Sequence, residues 1–478
     1  MLFPTVAFAV FFVAAFTANW LLRPHFLVWR ATMVAFSLYF YGWVDIRFVF
    51  VLVGSAVLNW ALALAAFRAM PLGQPTVESR RLVRVAVVAN LVVLGVFKYH
   101  GFFVDSFTDA LGGLGLHPDT PVLDILLPIG ISFFTFHAIS YVVDVGRGDI
   151  EPIGFGDVLL YMSFFPHLVA GPITRVDELV PQFHERPDPR KLAATEALTL
   201  IGLGLFKKVV VASYLATQLV DPAYGAPGGR SGTELLAATY AYAVQIYADF
   251  SGYTDIAIGC ALLLGIRLPA NFASPYRARS VREFWHRWHM TLSRWLRDYV
   301  YLPLGGDRHG AAFTYRNVLV TMALAGLWHG ADVKFLIFGL LHGTYIVGEL
   351  AAAAWAERTA LPAVPRPVSA ALRWLLTFNL VCLAWVFFRA DSAGTAFEII
   401  GRIATSAAGS STLVTALVVA VIAVALALQI YPHRPGKAVQ ARFSTLDPAL
   451  QALVLAGGLT LISVLGPDGV PPFIYFQF

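Results

Sequence analysis

An all-α, polytopic integral membrane fold is predicted by three observations. Hydrophobic residues make up 58% of the 478 positions and charged residues only 13%, about half the share of roughly 25% found in soluble domains. The mean hydropathy is +0.69. Apolar runs close to the ~20 residues that a membrane span requires recur from one end of the chain to the other. The polar stretches between them are too short to bury a core of their own. A soluble enzyme and a nucleic-acid-binding protein are both excluded, and the net charge of +5 matters less than where the basic residues fall.

Candidate spans lie near residues 2–22, 27–43, 47–67, 83–99, 122–143, 155–171, 193–220, 234–250, 253–268, 313–330, 334–355, 370–388, 411–431 and 448–466. Several are short or broken by Gly and Pro, so roughly ten to twelve true spans are expected, with the rest re-entrant or interfacial. The first apolar run has no basic residues before it and reads as a transmembrane helix rather than a cleaved signal. Arg68, Arg80, Arg81 and Arg84 mark a cytoplasmic loop. The next loop holds Asp105, Asp109, His117 and Asp119 with no Lys or Arg and reads as outward-facing. This places the N-terminus outside. The basic segments Arg175 to Lys191, Arg277 to Arg316 and His433 to Arg442 fall on the cytoplasmic side, and the terminal F-I-Y-F-Q-F returns outward.

Pro128 and Gly130 should break a helix ahead of His137, and Pro166, Gly171 and Pro172 should do the same around His167. Irregular backbone at membrane depth persists only where protein or a water-filled cavity satisfies it. These segments are either walls of an internal cavity or kinks in packed helices. Cys260 and Cys382 lie in apolar runs and read as small buried hydrophobes.

The segment Ser280 to Tyr299 carries Arg282, Glu283, Arg287, Arg294, Arg297 and Asp298. At roughly 2.5–3.5 kcal/mol per charge at a helix centre, spanning would cost on the order of 15–20 kcal/mol. It does not span. Val281, Trp285, Trp288, Leu292, Trp295, Leu296 and Tyr299 share one helical arc, so an interfacial amphipathic helix is expected. His289 sits at the edge of that arc and can face a cavity. His286 lies three residues before it, but no third ligand accompanies the pair, so no metal site is expected.

From Asn317 to Gly330 there is no charge, and His329 closes the run in G-L-W-H-G. Ionisable groups inside membrane segments are functional by default. An imidazole desolvated there is neutral and able to accept a proton, as a general base must be. The residues alone leave two readings open: a general base, or a histidine bonded to a carbonyl that joins two helices. His342 reads as structural or cavity-lining. Asp249, Ser251 and Asp255 form a second intramembrane polar group, either structural or lining a cavity.

The ordered stretches L-P-I-G-I-S-F-F-T-F-H-A-I-S-Y, F-F-P-H-L-V-A-G-P-I-T-R, D-F-S-G-Y-T-D-I-A-I-G, F-W-H-R-W-H-M-T-L-S-R-W-L-R-D-Y-V-Y-L-P-L-G-G, G-L-W-H-G and W-V-F-F-R-A-D run from about residue 128 onward. Through them the chain resembles the bacterial branch of the membrane-bound O-acyltransferase (MBOAT) family. The resemblance implies a helical funnel with re-entrant and interfacial helices, forming one integral-membrane domain over 1–478. Its expected parts are N-terminal helices to about 120, a catalytic core over about 121–350, and C-terminal helices over about 351–478. It implies a bacterial inner-membrane enzyme that passes acetyl groups from a cytoplasmic thioester, acetyl-CoA, to an exported polysaccharide such as alginate or to a periplasmic SGNH-type partner. His329 and His289, the second family histidine, are then the catalytic residues, His329 removing the proton from the attacking hydroxyl and His289 orienting or polarising the thioester from the cytoplasmic side. Trp328, Trp285, Arg282, Arg297 and Asp249 are the expected substrate-binding residues. No bound cofactor or metal is implied, and the partners are the acyl donor or carrier, the acceptor and membrane lipid. For the Arg277 to Arg316 cluster, positive-inside topology with lipid contact competes with binding of coenzyme A phosphates. Acetylation of peptidoglycan or cellulose, D-alanyl transfer to teichoic acid, and a transporter or flippase are the alternatives.

Overall fold

Lipid supplies no hydrogen-bond partners, so a spanning backbone must satisfy its own N–H and C=O groups. Every regular element among the described residues is accordingly a helix. The structure is a computed structural model. It describes residues 1–112, 115, 126–169, 171–359, 365–406, 411–431, 435–466 and 474. His117, Asp119, His433 and the terminal F-I-Y-F-Q-F apart from Ile474 lie outside the described residues. Among the described residues, six helices are long and apolar enough to cross a membrane: Arg47–Arg68, Val77–Gly101, Ala194–Gly225, Val333–Ala356, Arg366–Arg389 and Pro448–Leu465. Two shorter apolar helices are Val6–Leu22 and Ala416–Ile430.

Some boundaries differ from the sequence expectation. Residues 234–250 and 253–268, expected as two spans, are one 32-residue helix, Gly232–Leu263. Gly252 lies inside it without breaking it. The helix expected from 83 to 99 runs from Val77 to Gly112. The break at Gly130 is present: its φ is +79°, and a Cβ there would stand 2.7 Å from the Leu168 carbonyl oxygen.

The chain folds into two compact units. The first holds Met1–Ala197 and Ala257–Pro269. Its helices are fastened by amides and imidazoles as well as by an ion pair between Arg30 and Asp157 at 3.0 Å. Asn59 and Asn90 exchange side-chain hydrogen bonds at 3.1 and 2.7 Å, joining Arg47–Arg68 to Val77–Gly112. Trp29 donates to Asn19 at 2.9 Å, and Asn19 donates on to the Leu264 carbonyl. His137 and His167 stack at 4.5 Å. His167 bonds through Nε2 to the Tyr161 carbonyl and through Nδ1 to the Thr174 hydroxyl. With both nitrogens engaged by protein, it is a fastening residue.

The second unit holds Leu198–Ile256 and Ala270–Phe478. Two features organise it. In the first, Lys207 and Lys208 open a widened turn, Phe206–Ala212, within the Ala194–Gly225 helix. Lys208 forms a buried ion pair with Asp249, whose other oxygen accepts from the Ile474 N–H at 2.9 Å. Lys207 pairs with Asp255 at 2.5 Å and donates to Ser251 at 3.0 Å.

The second feature is a helix crossing. Ala311–His329 and Val333–Ala356 meet at Gly326 and Gly339. A Cβ on Gly326 would lie 2.2 Å from the Phe335 carbonyl oxygen, and one on Gly339 would lie 2.2 Å from that of Met322. Only hydrogen fits at either position. Backbone contact of this kind is how helices associate without a hydrophobic driving force between them.

Removing one member of a buried ion pair leaves the other charged and unpaired, at about 3–5 kcal/mol, whereas replacing both is far milder. Lys208→Met should therefore lower the unfolding midpoint in detergent sharply. The double variant Lys208→Met/Asp249→Leu should recover most of the loss. Thermal unfolding of the purified variants measures both.

Candidate active site

The basic aromatic segment forms two short helices, which corrects the expectation of one continuous helix. Val281–Trp285 begins at Ser280, whose hydroxyl accepts from the Glu283 N–H at 3.0 Å. Glu349, from Val333–Ala356, accepts from the N–H groups of Val281 and Arg282 and holds this helix start in place. The chain then turns through His286 to His289, and Met290–Leu296 follows. The predicted apolar arc is buried at Val281, Trp285, Trp288, Leu292, Trp295 and Leu296. It does not lie open in the membrane interface. Trp288, for instance, packs on Phe284, Phe272 and Trp385.

His289 is the pivot of the turn. Its φ is +42°, in the left-handed region, a conformation that costs a non-glycine residue about 1–2 kcal/mol. Asn271 imposes it. The Asn271 backbone carbonyl accepts from the Met290 N–H at 3.0 Å. Its side-chain oxygen accepts from the Thr291 N–H at 3.2 Å and the Thr291 hydroxyl at 2.9 Å. The same oxygen meets His289 Nδ1 at 3.2 Å.

These contacts decide the tautomer. A backbone N–H can only donate, so the Asn271 atom facing Thr291 is the oxygen, and His289 Nδ1 donates to it. Nε2 therefore carries the lone pair. Burial lowers the His289 pKa to about 3, so the ring is neutral at pH 7. His286, by contrast, is exposed and bonded to the Arg282 carbonyl at 2.7 Å. The two histidines do not face a common ligand.

His329 ends the helix that carries the glycine crossing. It is 4% exposed and ringed by Trp328 at 4.7 Å, Phe388 at 4.9 Å and Phe338 at 5.7 Å. Trp328 also meets His289 at 5.9 Å. The two imidazoles thus share one indole as a neighbour.

A pocket of 560 Å³ opens beside this group. Arg282, Arg294 and Arg297 line it, with Asp307 the acidic residue among them, and Trp285 contributes to its wall. Thr314, Val318, Thr321 and Met322 line it from the helix that ends at His329. His329 follows Met322 by two turns on the same face, about 10 Å further along. The pocket therefore joins a cationic lining to a helix stripe that leads to a buried imidazole.

Of the residues singled out from sequence, Arg282, Arg297 and Trp285 line the pocket, while Trp328, His289 and His329 form the buried group beside it. Asp249 is committed to its ion pair with Lys208 and to Ile474, and it does not line the pocket. His137 belongs to the first unit. Sequence reasoning did not find Asn271 or Arg294's place in the pocket. The N-F-A-S-P motif that contains Asn271 carries no signal for the acceptor role that folding gives it.

Fold and site together define a multi-pass helical membrane enzyme with a histidine centre. The chain belongs to the MBOAT, membrane-bound O-acyltransferase, family, whose profile matches residues 131–389. It is accordingly an O-acyltransferase. It is 41% identical over 363 residues to the probable alginate O-acetylase AlgI of Pseudomonas aeruginosa, covering 76% of this chain and 67% of that protein. The corresponding protein of Azotobacter vinelandii is 40% identical over 403 residues, covering 83% and 77%. A peptidoglycan O-acetyltransferase of Helicobacter pylori is 36% identical over 397 residues, covering 77% and 72%.

Asparagine tolerates the left-handed conformation better than histidine does, and its amide N–H can still donate to Asn271. His289→Asn should therefore fold with an unfolding midpoint within a few degrees of wild type. The shorter side chain leaves no acceptor at the Nε2 position, so acyl transfer should fall at least about tenfold. A stability measurement paired with a transfer assay separates the two effects.

Proposed function

We propose that this protein transfers acetyl groups from a cytoplasmic thioester, acetyl-CoA, to the hydroxyl of an exported polysaccharide such as alginate or to a periplasmic SGNH-type protein that modifies it. The observation that carries the reading is the placement of His289 and His329 against one indole, beside a pocket lined by Arg282, Arg294 and Arg297. Similarity to alginate O-acetylases supports the polysaccharide acceptor. Similarity to the peptidoglycan enzyme favours peptidoglycan as the second reading. Supplying each glycan to the purified protein and its periplasmic partner discriminates them.

In the proposed reaction the acceptor hydroxyl attacks the thioester carbonyl carbon. His329 takes the hydroxyl proton as general base and returns it to the departing thiolate, so that an ester and a free thiol result. A base so placed contributes ~10²- to 10⁴-fold. His289 orients rather than polarises the donor, because its Nε2 holds a lone pair and receives a hydrogen bond. The arginines hold the phosphates of the donor. The positive-inside pattern supports an inner-membrane protein with these arginines on the cytoplasmic side and the N-terminus outside.

His329→Ala should lower transfer ~10²- to 10⁴-fold while leaving the fold intact; transfer at the wild-type rate would refute the assignment. Arg282→Met and Arg294→Met should each raise the KM for acetyl-CoA several-fold with little change in kcat. A change confined to membrane insertion would instead mark these arginines as topological.

A further inference from the structure

His342 has no place in the mechanism above, yet it stands between the pocket and His329. It lies on Val333–Ala356, four residues before Ile346 and eight before Leu350, both of which line the pocket. That spacing puts all three on one helix face, with His342 one turn, about 6 Å, from Ile346. One turn in the other direction is Phe338, which meets His342 at 4.8 Å and His329 at 5.7 Å. The order along the site is therefore pocket, His342, Phe338, His329.

Trp285 determines which His342 nitrogen carries the proton. An indole N–H can only donate, and Trp285 Nε1 donates to His342 Nδ1 at 3.2 Å. With Nδ1 accepting, the neutral ring holds its proton on Nε2. The residue is fully buried, and Nε2 makes no hydrogen bond among the described residues. Phe284 covers one face of the ring in a parallel stack at 6.0 Å. A buried polar atom in this state is rare and calls for a partner that the described residues do not supply. Leaving it unpaired is unfavourable, so a carbonyl oxygen arriving there gains a hydrogen bond from a donor that owes nothing to water.

We infer that His342 is a further substrate-binding residue, whose Nε2–H donates to a carbonyl oxygen on the amide-bearing arm of the acyl donor. This rests on the acyl-transfer reading and deepens it. Coenzyme A and the prosthetic arm of carrier proteins share the relevant chemistry: phosphate at one end, amide carbonyls in the middle, thioester sulfur at the other. The site has the same order, with arginines in the pocket, an N–H donor beyond it, and the proposed base furthest along. His289 cannot fill this role, because its one N–H is donated to Asn271 and its Nε2 carries no hydrogen. No bond to His342 forms or breaks in the reaction.

The test uses the full-length protein in detergent or nanodiscs with acetyl-CoA, an acetylated carrier protein, and a simple alkyl thioacetate that lacks amides. His342→Gln keeps an N–H donor near the Nε2 position. His342→Asn keeps an acceptor for Trp285 near Nδ1 and loses the distal donor. His342→Asn should raise the KM for acetyl-CoA about tenfold with kcat within about threefold. His342→Gln should stay within about threefold of wild type in both. The alkyl thioacetate should show no KM change in either variant. A parallel effect with the acetylated carrier protein supports a contact to the arm that both donors share; an effect with acetyl-CoA alone assigns the contact to the free coenzyme. If His342→Asn matches wild type, or if the alkyl thioacetate responds equally, His342 only seats Trp285 and the inference fails. In that case the acyl-transfer reading still stands on the loss of activity in His329→Ala. If wild-type protein transfers from none of the three donors, both fail.

Discussion

Contact between two glycines is the constraint on which the site depends. Gly326 and Gly339 leave no room for a Cβ on either side of the crossing between Ala311–His329 and Val333–Ala356. The two helices are brought together at backbone distance, and three consequences follow from that approach. Thr314, Val318, Thr321 and Met322 face Ile346 and Leu350 around one pocket. His342 lies a turn beyond its lining. His329, at the end of the first helix, is surrounded by Phe338 of the second and by Phe388. A methyl group at either glycine would clash with the facing carbonyl oxygen and force the two helices apart.

The second device is local and opposite in kind. Where the glycines permit an approach, Asn271 enforces a conformation. One amide oxygen and one backbone carbonyl gather His289, Met290 and Thr291 into a turn that a histidine would not adopt unaided. The strain of about 1–2 kcal/mol is offset by satisfied buried donors. In exchange the ring is held in a single tautomer. Strained backbone of this kind clusters at functional sites, where the surrounding structure over-determines it. Trp285 acts on His342 in a comparable way, with an indole N–H in place of the amide. His289 and His342 thus each have their proton position set by a neighbour, and the two settings are complementary: His289 accepts and His342 donates.

Much of this was legible in the residues. The low charge and recurring apolar runs specify a helical membrane protein, and the charge-free stretch before His329 marks it as a buried imidazole. The 3.6-residue arc of Val281, Trp285, Trp288, Leu292, Trp295 and Leu296 is the buried face of its segment. The break within that segment was not legible. Glycine or proline usually announces such a turn, whereas here the cause is an acceptor eighteen residues upstream. Asp249 drew attention as an intramembrane carboxylate, but its partner Lys208 lies on another helix, and nothing in the local sequence announces a pair that neutralises it. The tautomers of His289 and His342 depend on contacts that only folding creates. Patterns of one residue's neighbours in sequence report burial well and report partners poorly.

On this proposal the acyl donor lies along one line from the arginines to His329. A structure of the protein with a non-reactive thioether analogue of acetyl-CoA tests it most directly. The phosphates should lie against Arg282, Arg294 and Arg297, the amide arm should pass His342, and the sulfur should sit beside His329. An analogue bound away from this pocket, or seated in it with its sulfur directed away from His329, would contradict it.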